Sequence, residues 1–331
     1  MKTKKITLGL VVTFILYAGI CHAELRVLFT SHHNDSNYEL YSMATNGTDI
    51  TQISFTSAID EWAPAISPNE IDVAFVNISG TASNIYLTSV FGDSPVQLNN
   101  NNEALCVQYA STNTIYFLAK TGPSGGTTDF QLWKINTDGS GEQRVYSDDF
   151  KCWTLGAMDF SINQANQNVY ISSFTSSFSS SYIQYGGIAD NEIQGTLIYN
   201  SSLGDRYAPD LSPNASKIAF CADHSGGNHR LYSDDAVPGG TPATQICDTF
   251  CGNPSWIDNN SIVFTRAGAS TWGITSYTGD IWRVNFDGGE LTKLTSIGSC
   301  AYPSVYDAIP EPYYLSFIIW NLFFINRKFI L

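Results

Sequence analysis

The sequence predicts an all-β fold, a six-bladed β-propeller whose ring is closed by the C-terminal strand completing the N-terminal blade. Three observations predict it. One short apolar strand recurs six times: RVLF ending at Phe29, DVAF at Phe75, TIYF at Phe117, NVYI at Ile171, KIAF at Phe220 and SIVF at Phe264. Two residues before each end stands a β-branched side chain, namely Val27, Val73, Ile115, Val169, Ile218 and Ile262. Apolar columns at i and i+2 mark strands that bury one face. The copies run from Phe29 to Phe264, 235 residues in five steps, a mean of about 47 that falls in the range of propeller blades. Finally, Ala301-Tyr302-Pro303-Ser304-Val305 repeats the strand that precedes each copy, yet no second strand follows it. The first blade has the opposite defect, beginning at its second strand. Joining the two closes the ring and removes sheet edges that would otherwise pair with other chains.

The elements follow in order. Lys2, Lys4 and Lys5 precede an apolar run from Ile6 to Ile20 and then Cys21-His22-Ala23. That pattern predicts a secretory signal over residues 1–23; the other reading is a retained anchor, for which the run is short. The propeller is expected over 24–308. Blade one holds RVLF, YELYSM and the Asn46-Gly47 hairpin step, and blade two opens at Trp62-Ala63-Pro64. Blade three runs from about Ala104 and turns at Asp138-Gly139; blade four, the loosest copy, spans about Cys152 to Ser202. Blade five is the clean copy, YAPDLSPNASKIAF followed by RLYSDD, and blade six starts at Cys251 and turns at Asp287-Gly288. Asn-Gly and Asp-Gly steps suit tight hairpins because their residues tolerate positive φ.

Composition narrows the function classes. Thirty Asp and Glu face 16 Lys and Arg, with no basic run outside the N-terminus. This argues against nucleic acid and against anionic membrane surfaces as partners. No GxSxG elbow, HExxH or phosphate-binding glycine loop occurs, and no second domain is long enough to be a hydrolase, which excludes a prolyl-peptidase type of enzyme. Six cysteines lie beyond the signal, an even number that favours disulfides in an exported protein. Cys247 with Cys251 is the first candidate pair and Cys106 with Cys152 the second. Cys221 with Cys300 follows by elimination, and buried thiols are the other reading.

Seven side chains are candidate binding residues. His32 and His33 lie in a blade-one loop between the second and third strands, and His224 and His229 lie in the matching region of blade five. Such histidines can serve as metal ligands or acid–base groups, or stand as solvated surface residues. Trp62, Tyr207 and Tyr302 occur where the chain enters the channel-lining strands, beside charges such as Glu61 and Arg206. They can contact a partner or sugar ring, or act as packing plugs of the repeat. Asn136 to Glu142 superficially matches a calcium loop, but its spacing fits a hairpin turn better.

The first-strand pattern Tyr207, Pro209 and Ser212-Pro213-Asn214, with the following IAF and an RLYSDD-like third strand, resembles the repeats of TolB-type propellers. The resemblance covers the whole body, best in blades two and five. TolB itself carries an additional α/β domain before its propeller, so this chain resembles the propeller portion. The tail over 309–331 contains Pro310-Glu311-Pro312, the apolar stretch YYLSFIIWNLFFI, and then Arg327-Lys328. It resembles the PEP-CTERM sorting signal of Gram-negative exported proteins, which an exosortase recognises. That implies transient membrane association through the tail; a plain anchor or a tail packed on the propeller are the alternatives. Together these imply an exported, non-enzymatic module, without cofactor or metal, placed in the periplasm, on the outer surface or in the extracellular matrix of a Gram-negative bacterium. Its expected partners are an envelope or matrix protein or polysaccharide and an exosortase-type processing enzyme. The alternative is a metal-dependent lyase or other glycan-active enzyme, since propeller lyases acting on pectin fragments have similar repeats and use histidines with a metal.

Overall fold

The computed structural model describes residues 24–34, 36–79, 82–98, 102–120, 128–146, 149–152, 159–163, 165–174, 181–187, 193–198, 206–224, 228–238, 243–248, 250–267 and 279–308. The predicted signal over 1–23 and the tail over 309–331 lie outside them. Among the described residues every regular element is a strand, in six antiparallel sheets. Blade one contains β1 (Glu24–Ser31), β2 (Glu39–Ala44) and β3 (Thr51–Gln52). Blade two is β4 (Glu61–Ile66), β5 (Asp72–Ser79), β6 (Ala82–Ser89) and β7 (Val96–Gln97). Blade three is β8 (Ala104–Ser111), β9 (Thr114–Lys120), β10 (Thr128–Asn136) and β11 (Gln143–Arg144), and it also takes β12 (Phe150–Cys152). Blade four is β13 (Phe160–Asn163), β14 (Asn168–Phe174), β15 (Ser181–Gly187) and β16 (Gly195–Ile198). Blade five is β17 (Arg206–Leu211), β18 (Lys217–His224), β19 (Asn228–Asp235) and β20 (Thr244–Cys247). Blade six is β21 (Cys251–Trp256), β22 (Ser261–Arg266), β23 (Asp280–Asn285) and β24 (Thr292–Lys293).

The last strand, β25 (Cys300–Ala308), pairs antiparallel with β1 from Glu24↔Ala308 to Ser31↔Cys300. It becomes the inner strand of blade one, as the two complementary defects in the repeat predict. The inner strands then meet in ring order, β25 against β4, β4 against β8, β8 against β13, β13 against β17, β17 against β21 and β21 against β25. One boundary differs from the expectation. Phe150–Cys152 pairs with β10 of blade three, so blade four begins at Phe160 rather than near Cys152.

The repeated columns build the core. All twelve column residues, from Val27 and Phe29 to Ile262 and Phe264, have no exposed surface. The column Phe lies directly across from an aromatic of the third strand, and three of these pairs stack: Phe29 on Tyr41 at 5.7 Å, Phe75 on Tyr86 at 5.6 Å and Phe220 on Tyr232 at 5.8 Å. Each such pair adds about 0.5–1.5 kcal/mol beyond area burial.

Turn chemistry repeats as well. In blades two and five Ser67 N and Ser212 N donate to the carbonyls of Asp72 and Lys217 at 2.9 and 3.0 Å, closing the Ser-Pro-Asn turn. Its fourth residue, Glu70 or Ala215, takes positive φ. The outer hairpins turn on Gly47, Gly139 and Gly288, at φ 86°, 82° and 87°. Gly47 has a further constraint, because a Cβ there would stand 2.6 Å from the Leu294 carbonyl oxygen of blade six.

Ring closure yields a direct prediction. A chain ending at Ser299, which lacks β25, is expected to lose the cooperative thermal transition shown by a control ending at Ala308. A midpoint within about 5 °C of the control, equivalent to about 3 kcal/mol for a domain of this length, would show that β25 is not needed to hold the ring.

Candidate functional site

The inner strands share a bulge that shapes the channel. Ala63, Ala208, Asn253 and Tyr302 each precede a proline and take positive φ, at 47°, 49°, 46° and 51°. Strand register slips across the same points, between Trp62 and Ala65, Tyr207 and Asp210, and Gly252 and Ser255, with a matching slip opposite Tyr302. Proline suits a bulge because it has no N–H to offer a ladder. Positive φ costs a non-glycine residue about 1–2 kcal/mol, so surrounding packing must hold each bulge in place.

The bulges surround a pocket of about 80 Å³ in the channel. Pro64, Pro209, Pro254 and Pro303 line it, with Gln108, Asp159, Asp210, Asn253, Ser255 and Tyr302 among the others. Asp210 takes hydrogen bonds from Ser161 Oγ at 3.2 Å and from the Trp256 backbone N–H at 3.1 Å. Asp159 takes one from the Phe160 N–H at 2.8 Å, and the Cys106 thiol also donates to it. Enclosure by protein pushes both carboxyls up to about 7; for Asp210 the charge of Asp159 adds to the effect. Near neutral pH each is therefore ready to exchange a proton.

At the rim of blades one and two the structure places a run of rings. His32 meets Tyr38 edge-on at 4.9 Å, Tyr38 packs on Trp62 at 4.1 Å, and Trp62 meets Tyr302 at 5.8 Å. His32 is exposed, Tyr38 and Tyr302 are half-buried, and Trp62 is buried. The run thus leads from solvent to the pocket wall, and Trp62 acts as its hidden support.

Beneath it lies a buried carboxyl pair. Glu39 and Glu61 have no exposed surface, and Ser54 Oγ bonds to both. The Leu40 N–H reaches Glu61 Oε2 at 2.9 Å, and Glu39 Oε1 takes the Thr56 N–H at 2.8 Å. Ser54 has one proton for two carboxyl oxygens, so a proton on Glu61 resolves the count. Burial, with a smaller push from the neighbouring Glu39 charge, raises Glu61 from 4.5 to about 8.

The other predicted site residues are placed differently. Tyr207 is buried and meets the buried His229 edge-on at 5.1 Å, so the two pack against each other within blade five. Arg206 is buried beside them and its guanidinium donates to the Ser181 carbonyl. His33 is exposed on blade one, and the side chain of His224 lies outside the described residues. Blade six stands between blades one and five in the ring, so the two histidine groups occupy separate sectors. No disulfide joins Cys106, Cys221, Cys247, Cys251 or Cys300, which are all buried thiols; the side chain of Cys152 lies outside the described residues. Cys251 and Cys247 are hydrogen-bonded to each other with Cys221 beside them, whereas Cys300 sits in a different part of the core. Cys221 and Cys300, paired only by elimination, are therefore kept apart. The sorting residues Pro310, Glu311, Pro312, Arg327 and Lys328 also lie outside the described residues.

Sequence reasoning missed Tyr38, Asp159, Asp210 and Asn253. Asp210 left a trace, since the position after the bulge proline is Ala65, Ser255 or Ser304 in other blades. An acid in a column of small residues marks a special position.

The protonated Glu61 makes stability pH-dependent. Its native value lies above its ordinary one, so between about 4.5 and 8 the unfolded chain has released a proton that the native chain still holds. Its stabilising contribution is complete below 4.5 and is lost as pH rises to about 8. Asp159 and Asp210 act with the same sign up to about 7. The melting temperature is expected to fall from pH 5 to 8, and Glu61→Gln should flatten that slope. An unchanged slope in the variant would contradict a neutral Glu61.

No protein-family model matches the sequence, and no curated protein matches it. Solved structures do match the fold. TolB from Acinetobacter baumannii is 15% identical with a TM-score of 0.68, covering 88% of this chain and 69% of that one. A nidogen/laminin complex contains a chain 10% identical with a TM-score of 0.63, covering 85% of this chain and 98% of its own. A putative TolB from Agrobacterium tumefaciens is 12% identical with a TM-score of 0.57, covering 88% and 100%. The described chain is a six-bladed β-propeller with the fold of TolB-like proteins.

Proposed function

We propose that this protein is an exported, non-enzymatic binding module that receives an envelope or matrix protein or polysaccharide at the channel mouth. The observation that carries the reading is the ring run from exposed His32 through Tyr38 and Trp62 to Tyr302 at the pocket wall. Aromatic rings backed by a rigid, buried partner give contact area at small entropic cost, whether against an apolar side chain or a sugar face. The fold agrees with such a use: one neighbour of similar architecture is in a nidogen/laminin complex. Export rests on the basic and apolar N-terminus, and sorting by an exosortase-type enzyme rests on Pro310-Glu311-Pro312 and Arg327-Lys328. An envelope location, periplasmic or at the outer surface, follows from these sequence features.

The test is a crosslinked pull-down from native envelope and culture fluid, read by mass spectrometry and sugar analysis. One reproducible protein or polysaccharide is expected, and its recovery should fall about tenfold in a His32→Ala, Tyr38→Leu double variant, the typical weight of one or two interface anchors. Equal recovery by the variant would place binding elsewhere. The intact mass of the same native sample checks sorting: a chain shortened at its C-terminus is expected, and one still ending at Leu331 would contradict processing.

A further inference from the structure

The channel pocket has the chemistry of a cation receptor, and it stands independently of any docking at the mouth. Four of its lining residues are prolines, which contribute carbonyl oxygens but no N–H donors. Among the described residues, no lysine or arginine lines it. Two carboxylates, Asp159 and Asp210, share it and are close enough for the charge of one to act on the other. Asp159 has two protein donors, the Phe160 N–H and the Cys106 thiol, and Asp210 has three, Ser161 Oγ and the backbone N–H groups of Trp256 and Leu211. Acceptor capacity remains on both, since a carboxylate has about four lone-pair sites.

A separate observation points to a missing ligand. Asn253 lines the same pocket and is 8% exposed, yet its side-chain Oδ1 is buried without a hydrogen-bond partner. An unsatisfied buried carbonyl costs about 1–3 kcal/mol, and such groups are rare in native proteins. Its backbone is held at φ 46° by the bulge, so the position is fixed rather than adaptable.

We propose that the pocket binds a primary ammonium group, either a small free amine or the tip of a partner's lysine side chain, with Asp159, Asp210 and Asn253 Oδ1 as its three acceptors. An ammonium offers three N–H donors and no acceptor, which matches three acceptor groups in a donor-poor wall. A volume of about 80 Å³ admits a compact head group. A quaternary ammonium has the same charge but no N–H, and it serves as the discriminating control.

The experiment is calorimetric titration of the full chain at pH 8.5 in HEPPS, a buffer without phosphate or primary amine, where both carboxyls are ionised. The probes are methylammonium, tetramethylammonium, calcium and the peptide acetyl-Gly-Lys-Gly-amide. Methylammonium binding at one to one assigns the free-amine source, and binding of the lysine peptide alone assigns the side-chain source. In either case tetramethylammonium is expected to bind about tenfold or more weakly, the weight of lost charge-assisted hydrogen bonds. Asn253→Gly, which keeps the positive φ accessible, and Asp210→Asn should each weaken binding by about tenfold. Far-UV circular dichroism and melting confirm that each variant folds; if one does not, the other is read alone. Absence of binding by both N–H probes, equal binding of tetramethylammonium, or a preference for calcium would overturn the proposal.

Discussion

The pairing of β25 with β1 is the constraint on which the other features depend. Each blade buries its columns against its neighbours, so no blade has a complete core by itself. A ring with an open junction would expose two sheet faces and an unpaired edge. The closing pair links residues near 24 and 308 across the whole ring, and its register runs without interruption from Glu24 to Leu28 before the bulge. It also brings Tyr302 and Pro303 to the channel, so closure and the candidate site are one event.

Three polar junctions then mark where one blade hands over to the next. Ser54 meets Glu61, Cys247 meets Cys251, and Thr295 Oγ1 approaches Cys300 Sγ at 3.6 Å. In each case a residue at the end of an outer strand, or two positions past it, touches the first residue of the next inner strand. The geometry is shared while the chemistry changes from carboxyl to thiol. This is why the cysteines that spacing marked as disulfide candidates read equally well as blade-junction residues: Cys247 and Cys251 are neighbours because the repeat places any two residues there in contact. Burial raises the Cys251 thiol well above its ordinary value, which suits a packing role rather than a reactive one.

The architecture was legible in the sequence because propeller blades repeat. Phe29, Phe75 and Phe220 announce themselves by position, and Asn46-Gly47 by turn chemistry. The boundary of blade four was not legible, because Phe150–Cys152 joins blade three through a pairing with no local signature. The site was only partly legible. Trp62 and Tyr302 belong to the ring run, whereas Tyr207 sits at the same repeat position as Trp62 and is buried against His229 instead. Equivalent positions in a repeat share a backbone environment, not a set of neighbours. Asp159 and Asn253 become visible only when six inner strands from distant parts of the chain converge.

The claim that closure orders the channel can be tested at the level of single amides. Native-state hydrogen exchange reports the opening free energy of each strand. If β25 is an integral inner strand, the amide of Leu28 and those β25 amides that bond across to β1 exchange in the same slow class as those of Phe220 and Phe264. If the amides of β25 instead exchange rapidly, as a frayed end does, while those of blade five remain protected, the ring is not closed by this strand and the account fails.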